Sequence, residues 1–210
     1  MQHSIPNRLA FPFRRVALAS VLTLASLAST ATAQTFTIFG EVRPTPTGYH
    51  LADVDIPLTG KFDFQQFVGK VVEIRGTNQG TTKEPTIEVG SIQEAQDVLR
   101  ADHEVRLGRE LRMRIDSRTG QRWLFFLSPG RGFLPLDDLF PGVALKGTFF
   151  LDVATYYVFG PGALSGNHEE RVPIPAAKEL IGVRFWTQAA TVLPDKTGVY
   201  TNAVSVMIRR

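Results

Sequence analysis

Residues 111–128 read LRMRIDSRTGQRWLFFLS, and their pattern decides the fold class. Leu111, Met113 and Ile115 alternate with Arg112, Arg114 and Asp116. A period of two puts one residue type on each face of a pleated strand. Ser117-Arg118-Thr119-Gly120 has turn chemistry. Residues 121–128 (QRWLFFLS) resume as a strand that is apolar on both faces, as a fully buried strand is. The expected unit is a β-hairpin.

Outward from this unit the same reading recurs. On the N-terminal side, Phe36, Ile38 and Val42 alternate with Thr35, Thr37 and Glu41. A turn is expected at Pro44–Gly48, and strands near 49–56, 58–64, 70–76 and 86–92. A short helical turn is expected at 65–69 and a loop at 78–80. On the C-terminal side a Pro- and Gly-rich loop spans 128–142. Strands follow near 145–153 and 155–159, then one with His168, Glu170, Val172 and Ile174 on one face, then 183–192 and 201–208. Seven or so short strands separated by turns read as an antiparallel β-sandwich over 109–210. Residues 93–109 break the pattern. Ile92, Ala95 and Leu99, with Glu94, Asp97 and Arg100 around them, predict one short amphipathic connecting helix. Asp102-His103-Glu104 then falls in a polar connector, placed at 99–108. The fold class is mostly β.

The first 33 residues read as a secretory signal. Arg8, Arg14 and Arg15 form a basic start without acids, and Val16–Leu27 is a twelve-residue apolar run. A membrane-spanning helix needs about 20 apolar residues. Ala31-Thr32-Ala33 supplies the small-x-small site, so cleavage is expected before Gln34; an uncleaved anchor is the alternative. The expected location is periplasmic or extracellular, with no transmembrane segment after signal cleavage. The whole chain carries 23 Lys+Arg and 20 Asp+Glu. Without the three signal arginines the two kinds balance at 20 each. The pI near 9.4 is therefore a property of the precursor, and no nucleic-acid partner is expected from it. The chain has no cysteine, which excludes disulfides, thiol chemistry and a lipoprotein attachment site.

Two resemblances follow from particular residues. Tyr49-x-Leu51, the run Phe67–Thr77 (FVGKVVEIRGT) and Ile87-Glu88-Val89-x-Ser91-Ile92 resemble small exported bacterial domains of unknown function built as OB-like five-stranded barrels. The resemblance covers about residues 35–95 and implies an OB-like barrel domain at 34–98. Such barrels bind oligonucleotides, oligosaccharides or proteins. Pro135-Leu136-Asp137, Val172-Pro173-Ile174-Pro175, Leu180-Ile181-Gly182, Gln188-Ala189 and the run from Thr201 to Ile208 resemble the C-terminal β-sandwich module of secreted planctomycete-type proteins. That resemblance implies an extracellular accessory or structural role.

No motif assigns a catalytic, cofactor-binding or metal-ligating residue. After the signal the histidines are His50, His103 and His168, without metal-ligand spacing; only His168 and Glu170 share a strand face. Asp102-His103-Glu104 offers acid–base groups but no nucleophile. Gly162–Gly166 (GALSG) lacks the spacing of a nucleophile elbow. Gly130-Arg131-Gly132 lacks the Lys-Ser/Thr of a phosphate loop. Charge is unevenly placed: residues 34–97 are net acidic and residues 98–210 net basic. Arg112 and Arg114 share a strand face, and Arg118 and Arg122 flank the following turn. These four are the candidate anion-binding residues, since guanidinium groups take carboxylate or sulfate bidentately. A solvated sheet face, or one docked on the acidic first half, is the competing reading. The expected function is an exported, non-enzymatic accessory, binding or envelope-associated structural protein whose partner is an anionic polysaccharide or another envelope protein. The alternative is an exported hydrolase of envelope polymers that draws on Asp137, Asp138, Asp152 or Glu170.

Overall fold

Strand alternation at the N-terminal end closes a barrel. β1 (Thr35–Thr45), β2 (Gly48–Leu51), β3 (Ile56–Thr59), β4 (Val71–Asn78) and β5 (Ile87–Glu94) are bonded in the closed order β1-β2-β3-β5-β4. Every pair is antiparallel except β3 with β5, where Leu58 lies beside Ile87. This is an OB-like small barrel. Its interior is filled by the inward set of each strand, among them Ile38, Val42, Leu51, Leu58, Val72, Ile74 and Val89. Phe64, from the 3-10 turn Phe64–Phe67, packs into the same core. Pro44 and Thr45, expected in a turn, are the last residues of β1 and lie opposite Tyr49 and Gly48. The computed structural model describes residues 35–118, 121–135 and 142–210. The expected signal segment, Asp137 and Asp138 lie outside the described residues.

The second half is a sandwich. β6 (Asp97–Ala101), β7 (Glu104–Arg106), β8 (Glu110–Ser117), β9 (Arg122–Ser128), β10 (Arg131–Pro135), β11 (Ala144–Lys146), β12 (Thr148–Leu151), β13 (Tyr157–Ala163), β14 (Asn167–Pro173), β15 (Arg184–Val192) and β16 (Thr197–Arg209) form three sheets. The largest has the order β11-β16-β15-β9-β13, with β7 also on β16. β11 and β7 run parallel to β16 and the other ladders are antiparallel. A three-stranded sheet, β14-β8-β6, covers one face. There Leu99, Leu111, Met113 and Ile115 meet Trp123, Phe125, Phe185 and Val206. On the other face Phe126, Ala190 and Tyr200 pack with Phe149 and Leu151 of β12, and Phe150 and Ala203 enter the barrel core.

Two sequence expectations are corrected here. The connecting helix does not form: residues 87–94 and 97–101 are strands. Ile92 packs against the barrel core and Leu99 lies in the sandwich core, so the residues of the supposed helix face serve two different interiors. Asp97 and Leu99 are buried while Arg100 is exposed, which is strand periodicity. The segment 99–108 accordingly contains β6 and β7 rather than a bare polar connector. β8 and β9 also do not pair as a hairpin. β8 joins β14 and β6, and β9 joins β13 and β15. β8 and β9 belong to different sheets, and their apolar faces oppose each other across the core.

Several buried polar groups in and beside the large sheet are paired by side chains, while Trp123 Nε1 and the Tyr200 hydroxyl have no partner among the described residues. Asn202 Oδ1 accepts from Leu99 N–H at 2.9 Å and its Nδ2 donates to Leu99 O at 3.0 Å. The side chain thereby completes the ladder of β6. Gln188 Oε1 accepts from Phe150 N–H, and its Nε2 donates to Thr148 O and Thr201 O, all at 2.9 Å. Among the described residues no helix is long and apolar enough to cross a membrane.

Asn202→Ala strips both partners from the buried Leu99 backbone. An orphaned buried polar group costs about 1–3 kcal/mol, so the expected loss is about 2–4 kcal/mol, read as a lower urea midpoint at unchanged m-value. Tyr200 behaves oppositely, because its buried hydroxyl has no hydrogen-bond partner. Burial, with a smaller contribution from Tyr156, pushes its ionisation well above the ordinary tyrosine range. A raised acid contributes stability below its unfolded pKa, and this is lost as pH climbs above about 10. Tyr200→Phe is expected to match the parent at pH 7 and to unfold less readily in alkaline titration.

Candidate functional site

The outer face of the three-stranded sheet is built by register. β8 lies in its middle, and alternation sends Arg112, Arg114 and Asp116 outward. Pairing places Arg112 beside Arg171 of β14, and Arg114 between Glu169 of β14 and Arg100 of β6. Like charges directly opposite one another are destabilising, and this face holds two such pairs. Carboxylates offset part of the charge. Arg114 Nε lies 2.7 Å from Asp116 Oδ1, and Arg100 Nε 3.2 Å from Asp116 Oδ2. Arg171 reaches Glu169 at 2.8 Å and Glu110 at 3.8 Å. Arg112 makes no ion pair among the described residues. Four guanidinium groups thus share an exposed face with three carboxylates.

The other two candidate arginines lie elsewhere. Arg118 follows β8; its backbone N–H donates to Asp97 Oδ1 at 3.2 Å and its side chain is exposed. Arg122 opens β9, in the other sheet, on the same side as Leu124 and Phe126. That side faces away from the three-stranded sheet, so Arg122 cannot act with Arg112 and Arg114.

The remaining sequence candidates serve local roles. His168 stacks on Trp123 with centroids 4.2 Å apart and 16° between planes, and its Nε2 lies 3.2 Å from Glu170 Oε2. Asp152 accepts from Ala154 N–H and Thr155 Oγ1, which makes it a turn cap. His103 lies 3.6 Å from Asp53 Oδ1, and the Ser205 hydroxyl donates to the same oxygen at 2.7 Å. A serine that donates to the carboxylate rather than to the imidazole is not activated as a nucleophile. Among the described residues no group of three or more His, Asp or Glu is placed to hold a metal ion.

The Asp53 contacts have a structural purpose. Asp53 and Asp55 have φ of 63° and 54°, a left-handed conformation that costs non-glycine residues energy. The turn is held by its partners: Asp53 Oδ1 also accepts from Ser205 N–H at 3.1 Å, and Asp53 O accepts from Trp186 Nε1 at 3.0 Å. Arg131 Nη1 donates to Val54 O at 2.7 Å. This turn ties the barrel to the large sheet and forms one wall of a cleft of about 540 Å³. Residues 82–86 form a second wall and β10 the third. Sequence reasoning missed this cleft. Its prolines gave no advance signal: Pro57 lies within β3, opposite His50 of β2, and Pro85 lies in the segment between β4 and β5.

No protein-family model matches the chain. No curated protein matches it. Among solved structures, a superoxide reductase (neelaredoxin) from Ignicoccus hospitalis is similar over 54% of this chain and 80% of its own length, at 10% identity and a TM-score of 0.29. A similarity that low carries no argument about fold or function.

Asp53→Ala removes an anionic acceptor from two donors and places alanine in a left-handed turn. The expected loss is about 2–4 kcal/mol in chemical denaturation. Asp53→Asn keeps an acceptor and tolerates the backbone conformation, so about half that loss is expected.

Proposed function

We propose that this chain is an exported, non-enzymatic accessory or binding protein of a bacterial envelope, and that it recognises an anionic polymer or an acidic face of another envelope protein. The observation that carries this reading is the cross-strand placement of Arg112 beside Arg171 and Arg114 beside Arg100. Two like-charged pairs on one sheet face cost stability, and an anionic partner relieves that cost. Arg112 makes no ion pair among the described residues, which leaves its guanidinium available for a bidentate contact. The export part of the proposal rests on the basic, apolar and small-residue pattern of residues 1–33.

The test is binding of the purified protein to neutral and anionic envelope polysaccharides at low and high salt. Binding confined to anionic members and weakened by salt is expected. Arg112→Glu with Arg114→Glu is expected to abolish it while leaving the denaturation midpoint within about 1 kcal/mol, since exposed charges contribute little to folding. Undiminished binding by this folded double variant refutes the assignment.

A further inference from the structure

β13 ends the largest sheet, and among the described strands it pairs only with β9. Residues 155–166 (TYYVFGPGALSG), which contain it, hold no Asp, Glu, Lys, Arg or His. The other exposed end strands do carry charge: Arg100 in β6, Arg131 in β10, Lys146 in β11 and Glu169-Glu170-Arg171 in β14. Charges on an edge keep a second strand from pairing with it. That protection is missing from β13, whose side chains are apolar instead. Tyr157 is 58% exposed and Val158 42%. Both apolar layers of the sheet run out to this edge. Tyr157 lies opposite Leu127 and Phe159 opposite Phe125, on the side that faces the three-stranded sheet. Val158 lies opposite Phe126, on the side that packs with β12.

These features fit a second copy of the chain. The β13–β9 register shifts between Phe159 and Gly162, and Pro161 has no N–H to give, so a partner strand is confined to Tyr157–Phe159. An antiparallel pair centred on Val158 sets Val158 beside Val158 of the second copy. Tyr157 then lies beside Phe159 of the second copy, twice by symmetry. Aromatic and β-branched cross-strand pairs of this kind stabilise a sheet, and no like charges face each other. A strand with acidic or basic side chains gains nothing here, since no charge on β13 answers it. The two-fold contact uses the same edge of both copies and is closed. Growth through the far edge of the sheet is blocked, because β11 is three residues long and carries exposed Lys146. We infer that β13 is a dimerisation edge, along which two copies join their large sheets into one. The inference does not rest on the arginine face.

The experiment is sedimentation of the purified protein from micromolar to millimolar concentration, joined to cysteine cross-linking. A dimer that dissociates on dilution is expected. The chain has no cysteine, so one introduced thiol can pair only with a second copy. Directly opposite residues of antiparallel strands have Cα atoms about 4.5–5.5 Å apart, within disulfide reach. Val158→Cys is therefore expected to oxidise to a covalent dimer, and Ile181→Cys, at another exposed apolar position, to remain uncross-linked. Val158→Lys sets two ammonium groups side by side and is expected to raise the dissociation constant by about tenfold or more, with the circular dichroism of the parent. Arg112→Glu with Arg114→Glu is expected to stay dimeric. A monomer at every concentration would overturn the inference. So would equal cross-linking of Ile181→Cys, an undiminished dimer in folded Val158→Lys, or loss of the dimer in the arginine double variant. Should Val158→Lys fail to fold, the cross-linking comparison alone decides.

Discussion

The structure depends on one constraint: β9, β15 and β16 are buried on both faces. A strand in that position has no water to take its polar groups, so nearly all of them find a partner inside the protein, with Trp123 Nε1 and the Tyr200 hydroxyl as exceptions among the described residues. Gln188, Thr187, Thr191, Thr201 and Asn202 are all buried on or beside these strands. Gln188 bonds three backbone groups and Asn202 bonds two. The Thr201 hydroxyl accepts from Ala189 N–H where the β15–β16 ladder shifts register. Thr191 Oγ1 donates to buried Asp97. These contacts help fix which layers cover the sheet, because Gln188 and Asn202 reach particular backbone atoms of neighbouring elements and Thr191 reaches the Asp97 carboxylate.

The same constraint explains why the barrel and the sandwich share surface. One face of the large sheet is covered by β14-β8-β6. The other is covered by β12 and, through Phe150 and Ala203, by the barrel core. The barrel thus shields part of a sheet that would otherwise expose aromatic side chains. Thr148 Oγ1 donates to Thr37 O at 2.9 Å, and the strained Asp53 turn grips Ser205 and Trp186. The cleft lies beside this contact, between the 53–55 turn, residues 82–86 and β10. Its rigidity is a by-product of the same clasp that orders the two halves.

Charge follows the layering. The three-stranded sheet has one face on the core and one in solvent, so its outward positions are open to charged residues at little cost to folding. Arginines collected there create repulsion that Asp116, Glu169 and Glu110 offset in part. The barrel carries more carboxylates, yet its cleft joins Lys83 of the barrel to Arg131 of the sandwich. The cleft also holds Asp55 and Glu84, so its charges balance; local potential depends on which elements meet rather than on segment totals.

Much of the fold was legible in order along the chain. Alternation in residues 35–42, 70–76 and 111–116 placed strands correctly, because burying one side of a pleat imposes a period of two that no other structure needs. The shared face of Arg112 and Arg114 followed from the same period. Partnership was not legible: residues 111–128 carry the marks of a hairpin, yet β8 and β9 lie in opposing sheets, since two apolar faces can be buried side by side or face to face with the same pattern. The helix expected within 93–109 failed for a related reason, as Ile92 packs on one core and Leu99 is buried in another. The cleft joins residues from 54 to 133, and the Asp53 clasp joins residues 53, 186 and 205, so neither has a local signature. Local periodicity determined which residues face inward; only tertiary packing decided what they face, because burial requires a partner surface without specifying where in the chain it lies.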